Sequence, residues 1–182
     1  KKMSRSLYES HQQISRLAFH DSLTGLSNRR FFAELLDRAV AQAQRNEQRL
    51  ALLFLDIDDF KKINDSRGHN AGDELLREVA RRLEVAVRRN DESGRGSTFE
   101  LDNSVARLGG DEFTVLLPGL HDAGNAASVA ERIFEQMHTP FMLEDQPVQI
   151  TTSIGITIYP DDGVTTTQLI QNADIAMYQA KG

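Results

Sequence analysis

Arg107-Leu108-Gly109-Gly110-Asp111-Glu112-Phe113, continued by Thr114-Val115-Leu116-Leu117, reads as an apolar strand entering a tight turn and a second apolar strand leaving it. Gly109-Gly110 at the bend is a strong hairpin signal, because such turns need positive φ and glycine takes it without a steric penalty. Asp111 and Glu112 then stand at the turn itself, where water and ligands reach them. A purely structural hairpin has little use for adjacent carboxylates between strands this apolar. Their meaning depends on what the rest of the chain sets beside them.

Upstream, Leu50-Ala51-Leu52-Leu53-Phe54-Leu55-Asp56-Ile57 is a continuous apolar run, as expected of a strand buried on both faces. Asp56 falls at its C-terminal end, where open α/β sheets tend to place their chemistry. Before it, Ser27 or Asn28 caps a helix carrying Phe31, Phe32, Leu35, Leu36 and Val40, which fades into the polar run from Gln42 to Arg49. After it, residues 58–65 predict a short helix with Phe60 and Ile63 inward, stopped by Gly68. A long helix follows, opened by residues 69–73, with Leu75, Leu76, Val79, Leu83 and Val87 on its inner face. Arg88-Arg89 closes it favourably against the helix dipole.

Residues 90–103 read as a loop. Downstream of the hairpin, the pattern predicts a helix over 123–138 (Val129, Ile133, Phe134 and Met137 inward), a strand pair across 141–158, and a helix over 165–180. The order helix, strand, helix pair, hairpin, helix, hairpin, helix predicts an α+β fold. A mixed central sheet flanked by helices, of ferredoxin-like kind, satisfies it.

At 182 residues the chain holds one domain with a sizeable core and a short appendage. A net charge of -6 argues against general affinity for nucleic acid or an anionic membrane surface. With no cysteine there is neither a disulfide nor a thiolate site, which fits a reducing compartment. No apolar run approaches the roughly 18 residues of a membrane span, and no signal peptide is evident. The chain starts at Lys1 without an initiator Met and stops just after a helical pattern, so it reads as a piece of something longer. Residues 1–20, with Leu7, Ile14, Leu17 and Ala18 at roughly helical spacing, read either as a helical linker or as the end of a signalling coiled coil.

Asp56, Asp111 and Glu112 are candidates for one site if their strands are neighbours. Clustered carboxylates repel unless a cation sits between them. Hard oxygen donors without His or Cys favour Mg²⁺ or Mn²⁺. The bland alternative has Asp111-Glu112 decorating a turn and Asp56 capping the next helix. It holds for each residue separately better than for all three together.

Gly109-Gly110-Asp111-Glu112-Phe113 resembles the signature of the GGDEF family, the diguanylate cyclases that condense two GTP into cyclic di-GMP. The likeness extends to Asp21-x-Leu23-Thr24-Gly25-Leu26-x-Asn28-Arg29-Arg30 and to Asp56-Ile57-Asp58-x-Phe60-Lys61-x-Ile63-Asn64-Asp65-x-x-Gly68-His69-x-x-Gly72-Asp73. Ser153-Ile154-Gly155-Ile156 and Ala173-Asp174-x-Ala176-Met177-Tyr178-x-Ala180-Lys181 complete it. The resemblance covers residues 21–182, makes 1–20 the stub of a controlling helix with 21–30 as hinge, and implies the palm-type nucleotide-cyclase fold. It implies that Asp56, Asp111 and the Ile57 carbonyl hold Mg²⁺, that Glu112 completes a second metal position, and that Asp111 takes the proton from the attacking 3′-hydroxyl. It gives Asn64 and Asp73 the guanine edge, while Phe60, Lys61, His69 and Lys181 belong to the substrate site, with the backbone near Phe60 and Lys61 and the two lysine side chains meeting the triphosphate. The bland alternatives are that Asp73 merely favours its helix N-terminus and that Lys181 is a solvated last-turn lysine.

One domain binds one GTP, so the resemblance also implies a homodimer, an upstream sensor, and room for a downstream phosphodiesterase domain. It implies a cytoplasmic location, either free or as the cytoplasmic part of a membrane-anchored sensor, with no direct membrane contact. The family's product-inhibition Arg-x-x-Asp, counted back from Gly109, lands on Glu100 and Asn103, which do not match. Arg88-Arg89-Asn90-Asp91 does match, and an insertion over 92–103 would separate it from the hairpin. The alternative function is a catalytically silent module that binds GTP or cyclic di-GMP and regulates a neighbouring domain.

Overall fold

The computed structural model describes residues 18–88 and 104–181. Residues 1–17, read above as linker or coiled coil, lie outside it, as do Asp91 and the insertion at 92–103. Eleven elements follow in order: α1 (Arg29–Asn46), β1 (Arg49–Ile57), α2 (Phe60–Arg67), α3 (His69–Arg88), β2 (Ser104–Gly109), β3 (Glu112–Leu120), α4 (Gly124–His138), β4 (Phe141–Leu143), β5 (Gln146–Val148), β6 (Thr152–Tyr159) and α5 (Thr166–Ala180).

The apolar run becomes β1, a central strand buried along both faces after Arg49. It pairs antiparallel with β3 on one side and with β6 on the other, in a four-stranded sheet of order β2-β3-β1-β6. Because side chains alternate along a strand, Ala51, Leu53, Leu55 and Ile57 enter one core with α3 and α4. Leu50, Leu52 and Phe54 enter the other, with α1 and α5. The sheet is thus sandwiched between two helical layers, as an α+β fold requires. Every pairing in it is antiparallel rather than mixed.

Local chemistry sets the boundaries. Asn28 caps α1 by accepting from the Phe31 amide at 2.9 Å. Thr165 and Gln168 form a reciprocal capping box at the start of α5. Gly68 ends α2, its amide reaching the Asn64 carbonyl at 2.9 Å. At the central hairpin Gly109 and Gly110 have φ of 136° and 53°, as the turn demands.

Three expectations need correction. α1 does not fade at Gln42 but runs to Asn46, because Ala43 is buried against the sheet and holds the last turn. Residues 141–158 are not one strand pair: β4 and β5 form a separate two-stranded sheet, while β6 joins β1. The turn between β4 and β5 is Glu144-Asp145, both at positive φ, a pair far less conspicuous in sequence than Asn-Gly. Phe134 does not point inward; it is 53% exposed. The buried stripe of α4 is Ala126, Val129, Ile133 and Met137, and a residue next to Ile133 is turned about 100° from it. Phe134 instead stacks on His138, ring centroids 5.6 Å apart.

Candidate active site

The β1–β3 register sets Asp56 directly opposite Glu112. The Ile57 amide reaches back to the Asp111 carbonyl at 3.4 Å, so the hairpin turn closes against the end of β1. Asp56 is buried. The Asp111 carboxyl lies against it: burial, then the hydrogen bond and charge of the Asp56 carboxylate, push Asp111 up to about 6. Lys181, just past the end of α5, donates from Nζ to Asp56 Oδ2 at 2.8 Å. That hydrogen bond and the surrounding carboxylates raise the Lys181 ammonium above its ordinary value. Lys181 is therefore neither a free solvated lysine nor, in this state, directed at a third party.

Glu112, across from Asp56 in the register, lies 3.7 Å from Nη2 of Arg29. Among the described residues no three acidic or imidazole side chains are gathered closely enough to form a closed metal site. The donor set nonetheless fits a hard divalent cation. Two carboxylates in contact, one raised by the other, favour a cation between them, and Mg²⁺ commonly takes one or two carboxylates with the remaining ligands from phosphate and water.

The loop that leads out of β1 is fixed from β6. Asp58 accepts 2.7 Å hydrogen bonds from the hydroxyls of Thr151 and Ser153, and its amide reaches the Thr151 carbonyl at 2.9 Å. This places the start of α2. Asp59 precedes that helix without a side-chain cap; its carboxylate pairs with Lys62 at 2.8 Å instead. An uncapped helix start offers its first-turn amides, here those of Phe60 and Lys61, to an outside acceptor such as phosphate. Lys61 and His69 are exposed, and Phe60 is half-buried.

Asn64 on α2 and Asp73 on α3 are both half-buried, and the two helices pack on each other. Asn64 lies against Gly72, immediately before Asp73. Arg88 is exposed and pairs with Glu84 at 3.4 Å; its expected companion Asp91 is outside the described residues.

Sequence reasoning left Arg107, Asp21 and Arg29 without roles, though all three lay within or beside the motifs. Arg107 donates from Nε and Nη2 to the Gly110 carbonyl, at 3.0 and 2.8 Å, and from Nη1 to Asp21. Arg29 Nε donates to the Leu108 carbonyl at 3.2 Å. The segment before α1 is also bridged to β2, the Arg107 amide donating to the Ser27 carbonyl at 3.0 Å. The acidic turn is therefore held from the segment over 21–29.

The family described as "Diguanylate cyclase, GGDEF domain" matches residues 18–182. A curated relative, the bifunctional diguanylate cyclase/cyclic di-GMP phosphodiesterase MucR of Pseudomonas aeruginosa, is 41% identical over 98% of this chain, which spans 24% of its length. The solved GGDEF domain of TpbB from the same organism superimposes with a TM-score of 0.79 at 42% identity, covering 89% of this chain and 88% of that one. The coiled coil and GGDEF domain of DgcB from Caulobacter crescentus, solved with c-di-GMP, gives 0.81 at 29% identity, covering 99% and 89%. No helix among the described residues is long and apolar enough to cross a membrane.

Proposed function

Because the chain belongs to the GGDEF family, we propose that it is an active diguanylate cyclase module, joining two GTP molecules into cyclic di-GMP with release of pyrophosphate. The observation that carries this reading is the contact between Asp111 and Asp56 at the junction of β1 and the hairpin. In each of two exchanges a 3′-hydroxyl oxygen bonds to the α-phosphorus of the other GTP, and the bond from that phosphorus to the pyrophosphate oxygen breaks. Asp111 accepts the hydroxyl proton.

Asp56, Asp111 and the Ile57 carbonyl would hold Mg²⁺ or Mn²⁺, with Glu112 at a second position. Such ions supply charge neutralisation at the phosphates. Asn64 and Asp73 read the guanine edge, Asp73 accepting from N1–H and the exocyclic amine. The Phe60 and Lys61 amides and the Lys61 side chain meet the triphosphate, with His69 at the same rim. Lys181, held by Asp56, contributes its charge from the other side.

One such site holds one GTP, so two copies must face each other for both bonds to form. Residues 1–20 then serve as the connection to an upstream sensor, and the domain over 21–182 as the catalytic unit. A parent chain with a phosphodiesterase domain fits the share of MucR that this chain spans. A GTP substrate puts the domain in the cytoplasm. Arg88 with Asp91 would form a product-inhibition site across the 92–103 insertion.

One observation favours a second reading, a silent nucleotide-binding module: Glu112 is engaged with Arg29 rather than with the Asp56–Asp111 pair. Incubation with GTP and Mg²⁺ at high protein concentration, followed by nucleotide chromatography, separates the two. Cyclic di-GMP from the wild type and none from Asp111→Ala supports the cyclase. GTP binding without product, even when a zipper fused before Asp21 forces dimerisation, supports the silent module.

A further inference from the structure

Gly72 lies in the first turn of α3, is buried, and has no positive φ to justify glycine. A helical glycine without a conformational reason weakens its helix relative to alanine, so the space beside it is the feature to explain. A Cβ at this position would fall 1.9 Å from Asn64 Oδ1 and 3.0 Å from Asn64 Cγ, with the Phe60 ring next at 3.3 Å. The room made by the missing methyl is occupied by the Asn64 amide. The backbone of Asn64 is fixed as well, its carbonyl accepting from the Gly68 amide at 2.9 Å. Among the described residues, neither the Asn64 amide nor the Asp73 carboxylate is assigned a protein hydrogen bond. A held amide with its donors and acceptor unspent is suited to a flat polar edge presented from outside.

We propose that Gly72 is a specificity-determining positioning residue, whose missing side chain seats the Asn64 amide where it meets the purine base beside Asp73. The proposal rests on the guanine reading of this site and deepens it. Gly72 touches no ligand itself and acts wholly through Asn64. A methyl at position 72 expels the Asn64 side chain while leaving the phosphate-facing start of α2 in place. Base discrimination should therefore suffer, and phosphate affinity should not.

The test is a double-mutant cycle of Gly72→Ala and Asn64→Ala. Binding is measured by calorimetry with Mg²⁺ and unreactive GTP and ATP analogues carrying a methylene between the α- and β-phosphates. Thermal unfolding without nucleotide is followed in parallel. Gly72→Ala should weaken the guanine analogue on the order of tenfold, leave the adenine analogue unchanged, and keep or raise the melting temperature. In the Asn64→Ala background the same substitution should weaken binding no further. Retained guanine preference in Gly72→Ala overturns the proposal, as does a loss that persists in full without the Asn64 side chain. If the wild type does not distinguish the two bases, the guanine reading fails first and takes the proposal with it. Should Gly72→Ala fail to fold, the double variant decides: refolding supports displacement of Asn64, and continued unfolding overturns it.

Discussion

Arg107 and Asp21 are joined across 86 residues of chain: Arg107 Nη1 donates to both Asp21 carboxylate oxygens, at 3.0 and 3.1 Å. The same guanidinium holds the Gly110 carbonyl through Nε and Nη2. Both side chains are largely shielded from water, 12% and 17% exposed. One cation therefore ties the segment before α1 to the turn that carries Asp111.

Removing it should loosen the turn and leave an unpaired carboxylate. Burial alone would raise the Asp21 carboxyl, but hydrogen bonds from the Thr24 hydroxyl and amide, and Arg107 with its charge, outweigh burial and hold it below the usual range. A lowered carboxyl contributes stability that is present above its unfolded value of 3.8 and lost as pH falls through the lower folded value. Arg107→Met should reduce stability by about 2 kcal/mol near neutrality, and the deficit should shrink as pH falls below about 4. Urea unfolding at several pH values measures this, and a deficit independent of pH would assign the loss to the Gly110 contacts alone.

The sandwich was legible in sequence because β1 is apolar on both faces and the hairpin carries its own turn glycines. Asp56 and Asp111 could be paired in thought but not in space, since the register that sets Asp56 opposite Glu112 depends on β3 lying beside β1. Phe134 was misjudged because a bulky aromatic beside an inward residue looks inward without a resolved helical phase. Arg107 was unassigned because its partner is distant in sequence. Gly72 was read as motif only, since the volume a glycine leaves empty has no signature of its own.

Gly155 shows the same kind of constraint between layers. A Cβ there would meet the Ala173 carbonyl oxygen at 2.2 Å and the Met177 amide nitrogen at 2.3 Å, both backbone atoms of α5. Backbone cannot rotate aside as a side chain can, so α5 must lift from β6. Gly155→Ala should lose about 3 kcal/mol, the upper range for overpacking. It should also disturb the Lys181–Asp56 contact that α5 positions. A melting temperature within a degree of the wild type would show that α5 moves at little cost.

Arg82 should matter for stability and not for chemistry. It is 7% exposed and lies on α3 well past Asp73, where its guanidinium sits 3.6 Å from the Phe141 ring centroid. It donates to the carbonyls of Gln136, Thr139 and Pro140 and to Glu78. A lysine offers three donors on one point and no flat face to stack. Arg82→Lys should lower stability by about 3 kcal/mol through unpaired carbonyls, while nucleotide affinity at a temperature where the variant is folded stays unchanged. Loss of affinity without loss of stability would contradict this division of labour.

Asp111 should oppose stability and activity to each other. Its folded value is raised from 3.8 to about 6 by burial and the Asp56 carboxylate. Without a metal, the favourable protonated form is fully present below about 4, and its stabilisation is lost as pH rises through about 6. Above that, two carboxylates face each other, with Lys181 donating to Asp56 at 2.8 Å. Asp111→Asn removes one charge, so in chelator at pH 8 it should be more stable than the wild type by about 1 kcal/mol, after discounting for solvent screening. At pH 4 the two should be nearly equal. Adding Mg²⁺ at pH 8 should stabilise the wild type and close the gap, because only the wild type offers both carboxylates to the ion. Cyclase activity of the variant should fall by at least about a hundredfold. Chemical denaturation with and without Mg²⁺ reads all of these except the last. Equal stability at pH 8 in chelator would mean that the two carboxylates do not repel, and the reason for placing a cation there would be gone.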